Sequence, residues 1–423
     1  MGGIGQGASM DAIIWAIFLF ALGACVGSFL NVVIYRLPRG ESIAFPGSHC
    51  PSCGRAIRWY DNIPLLSWLA LAGKCRFCKT RISPRYIIVE LVTALLVVGL
   101  FAAYYIFAIR GGAGTFEESW PMYAAHAALV CGLLACSAVD IEHWIVPLEV
   151  CWVVSAIGII SATAAPHAWM PGVSPQTGAM SLAAGVGIIV AIILQKRGLI
   201  QQSFADAQEK PTPAEKPAPI PASKDKAGRK GNKKHKAARD LPAPPSVAFT
   251  KAHGINPRKE VLREVLFLAP AFILAVAAYY LVTGVPAIRD AWLAVTSQPA
   301  SPAAGIAAHH IGGLTAALFG YLIGGLWIWG TRILGTLAFG KEAMGLGDVH
   351  IMAAVGAVAG WMAPSIAFFV APVFGLIWAL YLWLRRNQRE LPYGPWLAAA
   401  SVAVMVFHDK LAGFLEFYME LLG

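Results

Sequence analysis

Apolar windows of roughly 20 residues recur along the chain, broken by short segments where Lys, Arg, Pro and Gly collect. They predict membrane-spanning helices near 11–35, 86–109, 122–141, 145–165, 179–195, 264–284, 310–334, 349–362, 364–384 and 396–420. Pro364 leaves open whether the eighth and ninth windows are two helices or one kinked element. The first window has no basic segment before it and runs directly into Arg36, so it reads as a retained helix and not as a cleavable leader. The predicted fold class is an all-α polytopic membrane protein of about ten transmembrane helices with a small polar module after the first.

Composition agrees. The chain is 57% hydrophobic and 13% charged, with a mean hydropathy of +0.62, which excludes an ordinary soluble core. Basic residues crowd the segment after the first span (Arg36, Arg39, Arg55, Arg58, Lys74, Arg76, Lys79, Arg81, Arg85) and recur at Lys196, Arg197, Arg332, Lys341, Arg385, Arg386 and Arg389. The alternate loops carry little beyond Arg110 and Arg289. The positive-inside rule therefore predicts residues 36–85, the loop after the fifth span, the loop before Asp348 and residues 385–395 on the cytoplasmic side.

Composition shifts sharply between 198 and 263. Residues 209–263 hold fourteen Lys and Arg against five Asp and Glu, interspersed with Pro. Such a segment cannot bury a core and reads as a disordered, solvated linker. Its run from Arg229 to Lys236 favours anionic lipid over nucleic acid as a partner, and no specific nucleic acid is expected. It is too polar and Pro-rich to build part of a catalytic site, so it is expected to be dispensable for chemistry. The expected divisions are 1–35, a first transmembrane helix; 36–85, a cysteine module; 86–197, helices two to five; 198–263, the basic linker; and 264–423, helices six to ten.

Two carboxylates fall at the ends of apolar windows. Asp140 closes the third, and Asp348 stands in Gly345-Leu346-Gly347-Asp348 before the eighth. Both are predicted on the same side. Ionisable groups at a bilayer edge are costly and usually functional. A protonated and an ionised carboxyl with water between them can perform acid–base hydrolysis. Gly345 and Gly347 permit positive φ and close backbone approach. The plainer reading is a pair of solvated helix-terminal aspartates, with Asp348 as a helix N-cap.

Cys50-Pro51-Ser52-Cys53 and Cys75-Arg76-Phe77-Cys78 form two Cys-x-x-Cys knuckles with 21 residues between them. Four thiolates at this spacing suit a closed, structural zinc site, whose metal would supply the folding free energy the hairpins lack. Disulfides or a redox pair are the alternatives, and a cytoplasmic location disfavours the first. Tyr60 to Leu69, with Ile82 to Tyr86 and Glu90, is expected to pack this module against the membrane face. Cys25, Cys131, Cys136 and Cys151 lie in apolar spans and read as small core residues.

These segments resemble the type IV prepilin peptidases, bifunctional leader peptidases and N-methyltransferases grouped with the Gly-x-Gly-Asp intramembrane aspartyl proteases. The likeness runs through Gly27 to Pro38, Ser48 to Cys53, Tyr60 to Leu69, Gly73 to Cys78, Ile82 to Glu90, Asp140 to Pro147, Lys341 to His350 and Tyr393 to Leu397. It implies catalytic roles for Asp140 and Asp348, zinc ligation by Cys50, Cys53, Cys75 and Cys78, and a supporting acidic position at Glu142. It further implies a bacterial inner-membrane location with the catalytic side cytoplasmic. The implied substrates are prepilin-like precursors, and S-adenosylmethionine is the implied methyl donor, with no site assigned. Leu148, Glu142 and His350 depart from the family's usual residues. The spans 179–195 and 264–284, with the linker, look additional to it. Competing readings are a proton- or cation-coupled transporter using the two aspartates, and an inactive relative assisting pilus or type II secretion assembly; a transporter has no need of the cysteine module.

Overall fold

The computed structural model describes residues 10–204, 256–297, 302–386 and 392–411, with 413–414 and 420. Most of the basic linker, at 205–255, and residues 387–391 lie outside the described residues. The helices are α1 (Met10–Arg36), the short α2 (Leu66–Ala70), α3 (Arg85–Phe101), α4 (Phe116–His143), α5 (Leu148–Ala164) and α6 (Pro175–Lys196). They continue with α7 (Pro257–Gly284), α8 (Pro286–Thr296), α9 (Pro302–Phe339), α10 (Leu346–Ala359), α11 (Met362–Arg386) and α12 (Gly394–Val406). Among the described residues, seven helices are long and apolar enough to cross a membrane, and α5, α10 and α12 are shorter apolar helices. Together they account for the ten predicted windows in order, and the chain is an all-α polytopic membrane protein.

Three boundaries moved for identifiable reasons. α7 starts at Pro257 because the Asn256 side chain accepts from the Arg258 amide and proline occupies the first helical position. α10 and α11 are separate helices, but Pro364 is not the break. The chain turns at Gly360, whose φ of 78° suits glycine, and Pro364 sits in the first turn of α11, where no amide is missed. α12 stops at Val406, the chain bends at Phe407 before helical residues 408–411, and Asp409 there faces the loop after α3. There it accepts from the Gly111 amide at 2.8 Å and faces buried Arg110 at 3.8 Å. The amphipathic α8 was not anticipated; Trp292 Nε1 ties it to the Pro175 carbonyl.

Helix α10 is the centre of the bundle. It is apolar all round and buried from Ile351 to Ala359, packed against α5 and α9. The crossing with α9 has no room for side chains. A Cβ at Gly320 would lie 2.1 Å from the Gly356 carbonyl oxygen, and one at Gly324 the same distance from that of Met352. Such small-residue contacts are how membrane helices gain packing energy where lipid offers no hydrophobic drive. Gly23 and Gly27 do the same for α1 on α3, opposite Ala94 and Glu90.

Candidate functional site

Asp140 lies in the last turn of α4 and is buried. Trp144 ends that helix in the left-handed conformation, returning its amide to the Asp140 carbonyl at 2.9 Å. A carboxylate at a helix C-terminus opposes the helix dipole, at a cost of about 0.3–1 kcal/mol. A charge-assisted hydrogen bond, worth about 1.5–3 kcal/mol, outweighs that. It comes from the Gly394 amide, 3.1 Å from Oδ2 at the N-terminus of α12. That end of a helix attracts anions.

Asp348 occupies the third position of α10, with Gly345 as the N-cap. It is therefore not the cap itself. Its carboxylate folds back over Gly345, where a Cβ would be 3.7 Å from Oδ2. The glycines are not used for positive φ as expected: Gly345 has φ of −69°, and Gly347 is not among the positive-φ residues. Gly347 serves close approach instead. A Cβ there would lie 2.5 Å from the Val146 Cβ, in the turn that follows Asp140. That contact presses the start of α10 onto the α4–α5 connection. Asp348 thereby stands at the start of a helix seated against the turn that follows Asp140. The Ile351 side chain and the Asp140 carboxylate both border Gly394. Two carboxylate-bearing segments from distant parts of the sequence thus pack together beside the α12 N-terminus.

The other sequence candidates have structural partners. Glu142 pairs with Arg85 at 2.7 Å, joining the end of α4 to the start of α3. His350 stands edge-on to Trp152 of α5, and Leu148 is the first residue of α5 after Pro147.

The four cysteines converge, with Cys50, Cys53, Cys75 and Cys78 Sγ atoms all within 4.8 Å of one another. Cys50 and Cys78 sulfurs are 3.7 Å apart, against about 2.05 Å in a disulfide and about 3.8 Å for a tetrahedral site with 2.3 Å zinc–sulfur bonds. The knuckles repeat one construction. The Cys50 amide donates to Arg55 and Cys75 to Thr80, while Gly54 and Lys79 return theirs to Cys50 and Cys75. Gly54 and Lys79, each following the second cysteine, both have positive φ. This donor set and spacing fit a metal ion. The module is fastened to the neighbouring helices. The Leu65 amide donates to buried Glu90 at 2.8 Å, and Asn31 donates to the Tyr86 carbonyl at 3.0 Å. Arg36 donates to the Ser42 and Pro46 carbonyls. Asp61 takes a bidentate grip from Arg76 in the second knuckle. The module and both aspartates therefore share one end of the bundle.

Sequence reasoning gave Gly394 no contact with Asp140 and read Arg332 only as a basic residue that orients the chain. The Tyr393-Gly394-Pro395 start of α12 was a visible helix-start signal, but that it faces Asp140 is purely tertiary.

Comparison with known proteins bears on the cysteine module. Residues 21–104 match the Bacterial Peptidase A24 N-terminal domain. A prepilin leader peptidase/N-methyltransferase of Myxococcus xanthus is 48% identical over 136 residues, 32% of this chain and 37% of that protein. A type 4 prepilin-like proteins leader peptide-processing enzyme of Escherichia coli is 41% identical over 143 residues, 30% and 48% of the two chains. A prepilin leader peptidase/N-methyltransferase of Pseudomonas aeruginosa is 39% identical over 149 residues, 30% and 47%. The chain spans about half or less of the length of these relatives. No solved structure matches it. Residues 21–104 thus carry this N-terminal domain, and the chain is similar over about a third of its length to prepilin leader peptidase/N-methyltransferases.

Proposed function

We propose that this protein cleaves the leader from type IV prepilin-like precursors at the cytoplasmic face of a bacterial inner membrane, and then methylates the new N-terminus. The observation that carries the reading is the packing of the Asp348 helix start against the turn after Asp140, at the end of the bundle that bears the cysteine module. In this scheme the ionised carboxylate takes a proton from water as it attacks the scissile carbonyl, and the protonated one donates to the carbonyl oxygen. Like charges at close range resist ionising together, so the pair shares a proton and titrates as a unit. The Gly394 amide donates to Asp140, while among the described residues no hydrogen bond reaches the Asp348 carboxylate. That assigns Asp140 the base role and Asp348 the acid role. Zinc held by Cys50, Cys53, Cys75 and Cys78 is structural, leaving no ligand position for substrate. S-adenosylmethionine supplies the methyl group, and no residues here are assigned to it.

The test is purified protein in lipid with a precursor that carries a short basic leader, a glycine before the cut and an apolar helix. Leader loss and methyl addition are read by mass spectrometry. Asp140→Asn and Asp348→Asn should each abolish cleavage at parental abundance and membrane insertion. Cleavage that survives in either variant rules out the two-carboxylate scheme.

A further inference from the structure

Helix α7 belongs to the part of the chain that looked additional to the family pattern, yet it reaches the approach to Asp348. Arg332, in the last two turns of α9, is 3% exposed. Its Nε donates to Glu264 of α7 at 2.7 Å, and Glu264 is 4% exposed. Its Nη1 donates to the Glu342 carboxylate and to the Met344 carbonyl. Both belong to the loop that delivers Gly345-Leu346-Gly347-Asp348. Glu264 is itself held in place: Ser203 donates to it at 3.1 Å, and Phe204, under the Arg332 guanidinium at 5.0 Å, donates its amide to Glu260. Arg263 closes the cluster onto Glu260 and Gln201.

A buried guanidinium with one edge on a fixed carboxylate and the other on a loop backbone is a clamp of defined geometry. We infer that Arg332, braced by Glu264 from the inserted helix, is a positioning residue that sets where residues 342–345 hold Asp348 relative to Asp140. This rests on the peptidase reading above. The insert then contributes to catalysis through its helix end, though no atom of it touches the carboxylates in the described contacts. A displacement of the order of 1 Å at reacting groups costs about 100-fold in rate.

The test separates positioning from folding. Arg332→Met alone leaves Glu264 buried without its partner and is expected to reduce abundance. The double variant Arg332→Met with Glu264→Met removes both charges, keeps the volume, and still lacks the loop contacts. It should reach parental abundance and thermal stability. Its kcat for precursor cleavage should fall by about 10–100-fold, with KM within about threefold. Arg332→Lys, which keeps the charge and loses the fork, should fall between. Hydrogen–deuterium exchange supplies a readout that needs no cleavage: amides of 340–348 should exchange faster in the double variant, while those of 50–80 should not. Parental kcat with unchanged exchange at 340–348 overturns the inference. If the parent cleaves no precursor, the peptidase reading falls, and the exchange experiment still decides whether Arg332 holds the loop.

Discussion

The Gly394 amide donates to the Asp140 carboxylate across 254 positions of sequence, and a Cβ at residue 394 would lie only 2.7 Å from Oδ2. The position therefore needs both a hydrogen on nitrogen and none of the bulk of a side chain. Gly394→Ala keeps the amide but pushes the carboxylate aside. Precursor cleavage should fall at least about tenfold with protein abundance unchanged. Parental cleavage by this variant shows that the Gly394 contact is not needed.

Gly347 makes a parallel case on the other aspartate. Gly347→Ala forces a Cβ against Val146, an overpacking that costs about 1–3 kcal/mol and shifts Asp348. Replacing Val146 by glycine in the same chain removes the opposing Cβ. Cleavage should be lost in Gly347→Ala and recover substantially in the double variant. Failure to recover would trace the loss to something other than this contact.

The cysteine site predicts about one zinc per chain by elemental analysis, lost in Cys50→Ser and Cys75→Ser. Strong chelation should lower the melting temperature and activity in step, as the proposed structural role of the metal requires. Activity lost while the melting temperature stays at its parental value would contradict a structural role.

Asp61 supplies a pH dependence. Hydrogen bonds from Arg76 hold its carboxyl below the ordinary 3.8. A carboxyl with a depressed folded-state value contributes stability above its unfolded value, about 3.9, and loses it as pH falls through the folded one. The melting temperature difference between parent and Asp61→Asn should be constant from pH 7 down to about 4 and shrink below that. A difference that instead grows with acidity contradicts the pairing.

The linker divides into two parts with different expectations. Replacing 205–255 by a short flexible segment should leave cleavage within about tenfold, or 1.4 kcal/mol. Extending the deletion to remove Gln201, Ser203, Phe204 and Glu260 dismantles the cluster around Glu264 and should cost more. Equal activity in the two deletions would show that the ordered margins do not matter.

Hydropathy exposed the ten apolar helices because a bilayer demands long uncharged windows, and metal spacing exposed the four cysteines. Asp140 and Asp348 stood out as carboxylates at window edges. What stayed hidden depends on contacts between distant segments. The glycine pair before Asp348 suggested backbone freedom, whereas Gly347 is required for space against Val146. Arg332 looked like one more interfacial cation, and only the fold sets it between Glu264 and the Met344 carbonyl. Pro364 left open whether the eighth and ninth windows were two helices or one kinked element, but a proline in a first turn interrupts nothing, and Gly360 makes the turn.

The backbone-to-backbone crossing of α9 and α10 at Gly320 and Gly356 gives the two aspartates unequal mechanical freedom. Asp348 stands on an axle seated without clearance in its bearing, while the described backbone hold on the Asp140 carboxylate is one amide at the tip of α12. In the proposed peptidase scheme, an extended precursor backbone is then expected to enter from the side of the α4 and α12 ends.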